Sequence, residues 1–115
     1  MKKIYIAGPM RGIRDFNFPA FHQAAKELCL RGYEVFDPAQ RDKDTHGEDV
    51  FQSETGDLND LVDFNFSHRD AMKADTTWIC DEADAIAMLP GWEKSSGAFA
   101  EWALARCLGL EIVYL

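Results

Sequence analysis

The chain has 115 residues, with 12 Lys and Arg against 20 Asp and Glu and a formal net charge of -8. That length suits one domain, residues 1–115, with one hydrophobic core and little room for a second. The acidity argues against wrapping a nucleic-acid polymer, which needs clustered cations, but leaves a free nucleotide open, since that needs only one or two local cations and helix-terminal N–H groups.

In chain order, Lys3-Ile-Tyr-Ile-Ala7 is a short β-prone run that ends at Gly8-Pro9. Pro19 suits the first turn of a helix. Phe21, Ala24, Ala25 and Leu28 follow at helical spacing, and Gly32 stops the helix after Arg31. Tyr33 to Phe36 predicts the second strand, closed by Asp37-Pro38. Residues 39–66 carry no clear period. Gln40 to Asp49 reads as a polar loop, Leu58, Leu61 and Val62 as a short helix, and the whole segment as a lid or a dimerisation element. Ser67 predicts a cap on a helix to about Cys80, with Met72, Thr76 and Ile79 inward. Ala83 to Leu89 is apolar on both faces, as a covered parallel strand is. A last helix starts near Ser95 or Ser96, with Ala98, Trp102, Ala105 and Leu108 as its apolar stripe. Gly109 ends it, and Leu110 to Tyr114 is the final strand.

Strands alternating with helices predict an α/β fold: a three-layer, doubly wound, Rossmann-like or flavodoxin-like sheet, mainly parallel, of about five strands. Four of these are legible, and a fifth is expected in the middle segment. Cys29, Cys80 and Cys107 have no metal spacing and read as core thiols. His22, His46 and His68 lack zinc-site spacing, so no metal is expected, and no cofactor. No apolar run approaches the ~18 residues of a membrane span. With no secretory pattern before the first strand, a soluble cytoplasmic protein is expected.

Two strand ends carry chemistry. After the first strand, Gly8-Pro-Met-Arg-Gly12 offers Arg11, whose forked donors fit phosphate; neither the Walker nor the dinucleotide glycine pattern is present. After the third, Ser95, Ser96 and Gly97 open a helix, as a plain cap or as an anion cradle. Glu101 lies one turn on among Ala98, Ala100, Trp102 and Ala105, where a carboxylate is costly unless paired, hydrogen-bonded or facing a cavity. Asp84 at the start of the third strand reads as a structural residue or as one that orients Tyr5 or a substrate. Trp92 reads as a surface for a base or as a core closure.

These segments, Tyr5 to Gly12, Phe18-Pro-Ala-Phe21, Gly32 to Pro38 and Asp84 to Glu101, resemble the nucleoside 2-deoxyribosyltransferase-like superfamily, especially its small phage and bacterial members. The resemblance implies cleavage of an N-glycosidic bond, with Glu101 as nucleophile, Asp84 as the orienting or protonating acid and Tyr5 near the sugar. It implies Arg11 and Ser95 on phosphate, as in the deoxynucleoside 5'-monophosphate N-glycosidases, with Gly97 four before the nucleophile. Ser95 stands where transferases acting on free nucleosides carry Asp. Pro9 departs from the glycosidases' serine. The expected activity is therefore hydrolysis of a (deoxy)nucleoside 5'-monophosphate. Base exchange by a deoxyribosyltransferase and a non-catalytic nucleotide sensor or adaptor are the alternatives. The resemblance also implies a homodimer or larger oligomer, for which Phe16, Phe18, Phe51, Phe64, Phe66, Trp78 and Trp102 supply apolar surface.

Overall fold

The computed structural model describes residues 1–47, 50–59 and 67–115. Strands β1 (Lys3–Ala7), β2 (Glu34–Phe36), β3 (Ala85–Met88) and β4 (Glu111–Tyr114) form one sheet in the order β2-β1-β3-β4. Every pairing is parallel. Four strands are present among the described residues, not the expected five. The first helix, α1 (Phe18–Leu30), and α2 (Pro38–His46) precede α3 (His68–Asp81) and α4 (Ser96–Cys107).

The polar loop expected over 40–49 is instead helical through His46. Asp37 caps α2, accepting from the Ala39 N–H at 2.9 Å, and Pro38 fits the first turn. Asp-Pro also reads as a strand stop, which hides the cap in a segment with no apolar period. The predicted caps at Ser67 and Ser95 both form: Ser67 Oγ accepts from Asp70 N at 3.2 Å and Ser95 Oγ from Ala98 N at 3.2 Å. The helix expected from Leu58, Leu61 and Val62 falls mostly outside the described residues.

The sheet is covered on both faces. Ile4, Ile6, Ala85 and Ala87 pack with Phe18, Phe21 and Leu28 of α1 and with Phe51. Tyr5, Ala7, Ile86 and Met88 pack with Ile79 of α3 and with Ala98 and Ala105 of α4. Strand β3 is buried throughout, which is why its sequence is continuously apolar rather than alternating. The three cysteines are exposed rather than core; each lies on a helix side turned away from these two clusters. Leu108, expected in the stripe of α4, is 45% exposed.

Because β2 and β3 flank β1 on opposite sides, the connections leaving the C-terminal ends of β1 and β3 diverge. That divergence is where an open α/β sheet forms its crevice. The loop after β1 is tied to the 50–59 segment: Gly12 N–H donates to Gly56 O at 3.0 Å, Asp15 N–H to Ser53 O at 2.6 Å, and Ser53 N–H to the Asp15 carboxylate at 3.0 Å. Asp15, Phe16 and Asn17 all take left-handed backbone angles (φ 53°, 53° and 62°), at about 1–2 kcal/mol per residue. The Ser53 bonds, the burial of Phe16 and an Asn17 Nδ2 to Pro9 O bond of 3.0 Å hold them there. Gly56 cannot carry a side chain, since a Cβ would lie 2.3 Å from Ile13 O.

Candidate active site

The crevice between the β1 and β3 loops is a cleft of about 460 Å³, within the range of small-molecule sites. Of the residues singled out by the sequence, Tyr5, Gly8, Arg11, Ser95, Ser96, Gly97 and Glu101 all line it. Gly8 is needed there: a Cβ would lie 2.7 Å from the Leu89 side chain.

At its inner end Tyr5, from the middle of β1, donates a 2.5 Å hydrogen bond to Glu101 Oε2. Glu101 is only 5% exposed. Burial is the main force on its carboxyl, pushing its pKa from 4.5 up to about 8; the Tyr5 hydrogen bond opposes the shift, and the Asp75 charge adds to it. Tyr5 itself is driven well above its ordinary value, first by burial and then by Glu101, so its phenol stays protonated and remains a donor.

Two further buried carboxylates line the same cleft, Asp42 of α2 and Asp75 of α3. Burial pushes each from 3.8 up to about 6, against the pull of Arg41. Arg41 Nη2 lies 2.8 Å from Asp42 Oδ1 in a hydrogen bond and 3.1 Å from Asp75 Oδ1. The second contact is a charge contact without hydrogen-bond alignment, and it leaves Asp75 Oδ1 a buried acceptor with no hydrogen bond. The three buried carboxyls, beside the half-buried Arg41, titrate as a coupled set. Near neutral pH the set keeps a proton, held chiefly by Glu101.

The mouth has the opposite sign. Arg11 and Lys94 are exposed at its rim. His68 joins them, its pKa lowered by burial and by Arg11. The N-terminus of α4 faces the cleft through Ser96 and Gly97, whose N–H groups have no partner within the helix. Ser95 Oγ serves as the cap acceptor, and its O–H remains a donor. Phe16, Phe18 and Phe51 form an aromatic wall, with the Phe18 and Phe51 rings 4.8 Å apart and those of Phe16 and Phe51 at 6.1 Å.

Three expected site residues lie elsewhere. Asp84 sits at the opposite, N-terminal end of β3: its Oδ2 accepts from Lys3 N–H at 2.9 Å while its own N–H donates to Lys3 O at 2.8 Å. Its carboxylate pins the start of β1, so it does not pair with Glu101. Trp92 belongs to an aromatic group outside the cleft, 5.0 Å from Trp102 and 6.1 Å from Phe99. Gly12 is spent on the backbone bond to Gly56. The sequence reading missed Asp42, Asp75, Lys94 and Phe51. Asp75 had a signal: it stands three after Met72 and four before Ile79, on the face already read as inward.

A family model described as "Domain of unknown function (DUF4406)" matches residues 2–114, and the chain belongs to that family. Comparison with curated proteins and with solved structures gives no match.

Proposed function

We propose that this member of the DUF4406 family hydrolyses the N-glycosidic bond of a nucleoside 5'-monophosphate. The observation that carries the reading is the proton-holding Glu101, bonded to Tyr5 at the inner end of a cleft whose rim is cationic. A phosphate would sit at the rim, on Arg11, Lys94 and the free N–H groups of α4. The sugar would then reach Glu101, and the base would lie along Phe16 and Phe51 toward Asp42 and Asp75. The strand order supports the finer reading of the fold as doubly wound and flavodoxin-like.

The chemistry balances within the cluster. Glu101 gives up its proton and attacks C1' of the sugar. The electron pair of the breaking C1'–N bond passes into the ring of the base, and a ring nitrogen away from that bond takes the proton through Asp75, so the base leaves neutral. Water then attacks C1', the ester bond breaks back onto Glu101, and the proton released by water returns the cluster to its starting charge. Tyr5 keeps Glu101 oriented throughout.

The test is to incubate the protein with ribo- and deoxyribonucleoside 5'-monophosphates and measure free base by chromatography. Base release that falls at least ~10³-fold in Glu101→Gln, with folding intact by circular dichroism, is expected. No release from any nucleotide overturns the reaction. A labelled free base added to the mixture separates hydrolysis from exchange, since only a transferase incorporates it. Saturable binding without turnover, unchanged in Glu101→Gln, would mark a sensor instead.

A further inference from the structure

The inner wall of the cleft is one-sided in its hydrogen-bonding chemistry. The polar side chains that line its buried part among the described residues are Tyr5, Asp42, Asp75 and Glu101. Tyr5 spends its one donor on Glu101. Asp75 lines the cleft, and its buried Oδ1 has no hydrogen bond, only a 3.1 Å charge contact with Arg41 Nη2. Asp42, 5% exposed, gives one oxygen to Arg41 and adds further acceptor capacity beside it. No asparagine or glutamine lines the cleft among the described residues. A base that turned a carbonyl oxygen toward Asp42 and Asp75 would set it against two carboxylates; their neighbour Arg41 already contacts both, and the proton held by Glu101 faces the sugar in the reading above. A base that presents N–H groups would satisfy acceptors already desolvated.

We infer that Asp42 and Asp75 select a base with an exocyclic amine beside a ring nitrogen, the edge carried by cytosine and adenine, and exclude its oxo counterpart. This rests on the nucleotide reading above. A ring nitrogen that accepts the proton passed through Asp75 becomes a donor back to that carboxylate, while the neighbouring amine donates to Asp42. Both carboxyls, at about 6, are mostly ionised at pH 7.5 and so act only as acceptors. The Arg41 contacts hold the two carboxylates beside one another from different helices.

The experiment compares molecules that differ only at this edge: 2'-deoxycytidine with 2'-deoxyuridine 5'-monophosphate, and 2'-deoxyadenosine with 2'-deoxyinosine 5'-monophosphate, all at pH 7.5. The expected result is a kcat/KM about 10²-fold higher for the amino member of at least one pair, the order of penalty for leaving buried polar groups unpaired. Asp42→Asn, whose amide offers both a donor and an acceptor, should narrow that ratio to below about 10-fold by improving the oxo substrate; Asp42→Ser serves if the first variant does not fold. Equal cleavage within both pairs, or an oxo preference, overturns the inference and leaves the glycosidase reading standing. If nothing is cleaved, the reaction falls, and isothermal titration of the same nucleotides decides the selectivity. Tighter binding of the amino member supports the inference there; equal binding or none overturns it.

Discussion

The Tyr5 hydroxyl on β1 and the Glu101 carboxyl on α4 stand 96 residues apart in sequence and 2.5 Å apart in space. The bond joins the sheet to the helix that lies across its switch point, so one contact fixes both the orientation of the carboxyl and the seat of α4. Because the phenol stabilises the ionised form of Glu101, the bond helps set where that carboxyl titrates.

Tyr5→Phe removes the donor. The apparent pKa of Glu101 should then rise above its value of about 8, and the pH at which base release reaches half its maximum should move upward with it. Losing a buried hydrogen bond to a carboxyl also costs about 1–3 kcal/mol of stability. A pH–rate profile with urea unfolding checks both; an unchanged profile would deny Tyr5 its role at Glu101.

The raised carboxyls predict how stability depends on pH. Glu101 moves from 4.5 to about 8, and Asp42 and Asp75 from 3.8 to about 6. Between those limits the folded chain binds more protons than the unfolded one, so stability falls as pH rises. The contribution is fully present below about pH 4 and is lost progressively up to about pH 8. Thermal unfolding from pH 5 to 9 should show a declining Tm, with each kcal/mol lost lowering it by roughly 4–8 °C. Glu101→Gln should flatten the decline above pH 6 and raise Tm at pH 8.

Asp84→Ala should act on stability alone. It removes the acceptor for the Lys3 N–H, worth about 1 kcal/mol, and its distance from the cleft should keep turnover within about two-fold of the parent. A loss of turnover as large as that of Glu101→Gln would return Asp84 to the reaction.

Self-association should use the aromatic surface beside β4. The buried positions of Phe16, Phe18 and Phe51 remove them as interface residues, and Phe64 and Phe66 lie outside the described residues. Trp78 is half-buried and stacks on Phe36. The aromatic surface beside β4 consists of Phe99, 47% exposed, and Tyr114, 61% exposed, joined by Trp102, whose Nε1 donates to Tyr114 Oη at 3.1 Å. Among the described residues β4 is also an edge strand of the sheet, and edges of this kind invite pairing. Light scattering across a concentration series should give about 26 kDa, twice the 13.0 kDa chain, reverting to monomer in Phe99→Lys. A 13.0 kDa species throughout overturns the dimer.

The four strands of the sheet were legible in the chain, though the expected fifth is not among the described residues. Apolar runs at Lys3–Ala7 and Ala85–Met88, stops at Gly32 and Gly109, and serine caps at Ser67 and Ser95 are local signals, written within a few residues of the backbone they direct. The same locality made Arg11, Ser95 and Glu101 visible, since each follows a strand end in a recognisable pattern. Only the tertiary structure decided which carboxylates meet. Asp84 sits next to a strand like a site residue, but the parallel register sets it at the sheet's other end, opposite Lys3. Asp42 falls in a stretch that reads as a polar loop and Asp75 drew no reading of its own; their burial comes from α2, α3 and α4 converging on one cleft. Side-chain chemistry is encoded residue by residue, whereas desolvation and proton sharing depend on distances between elements far apart in the chain, which no local pattern specifies.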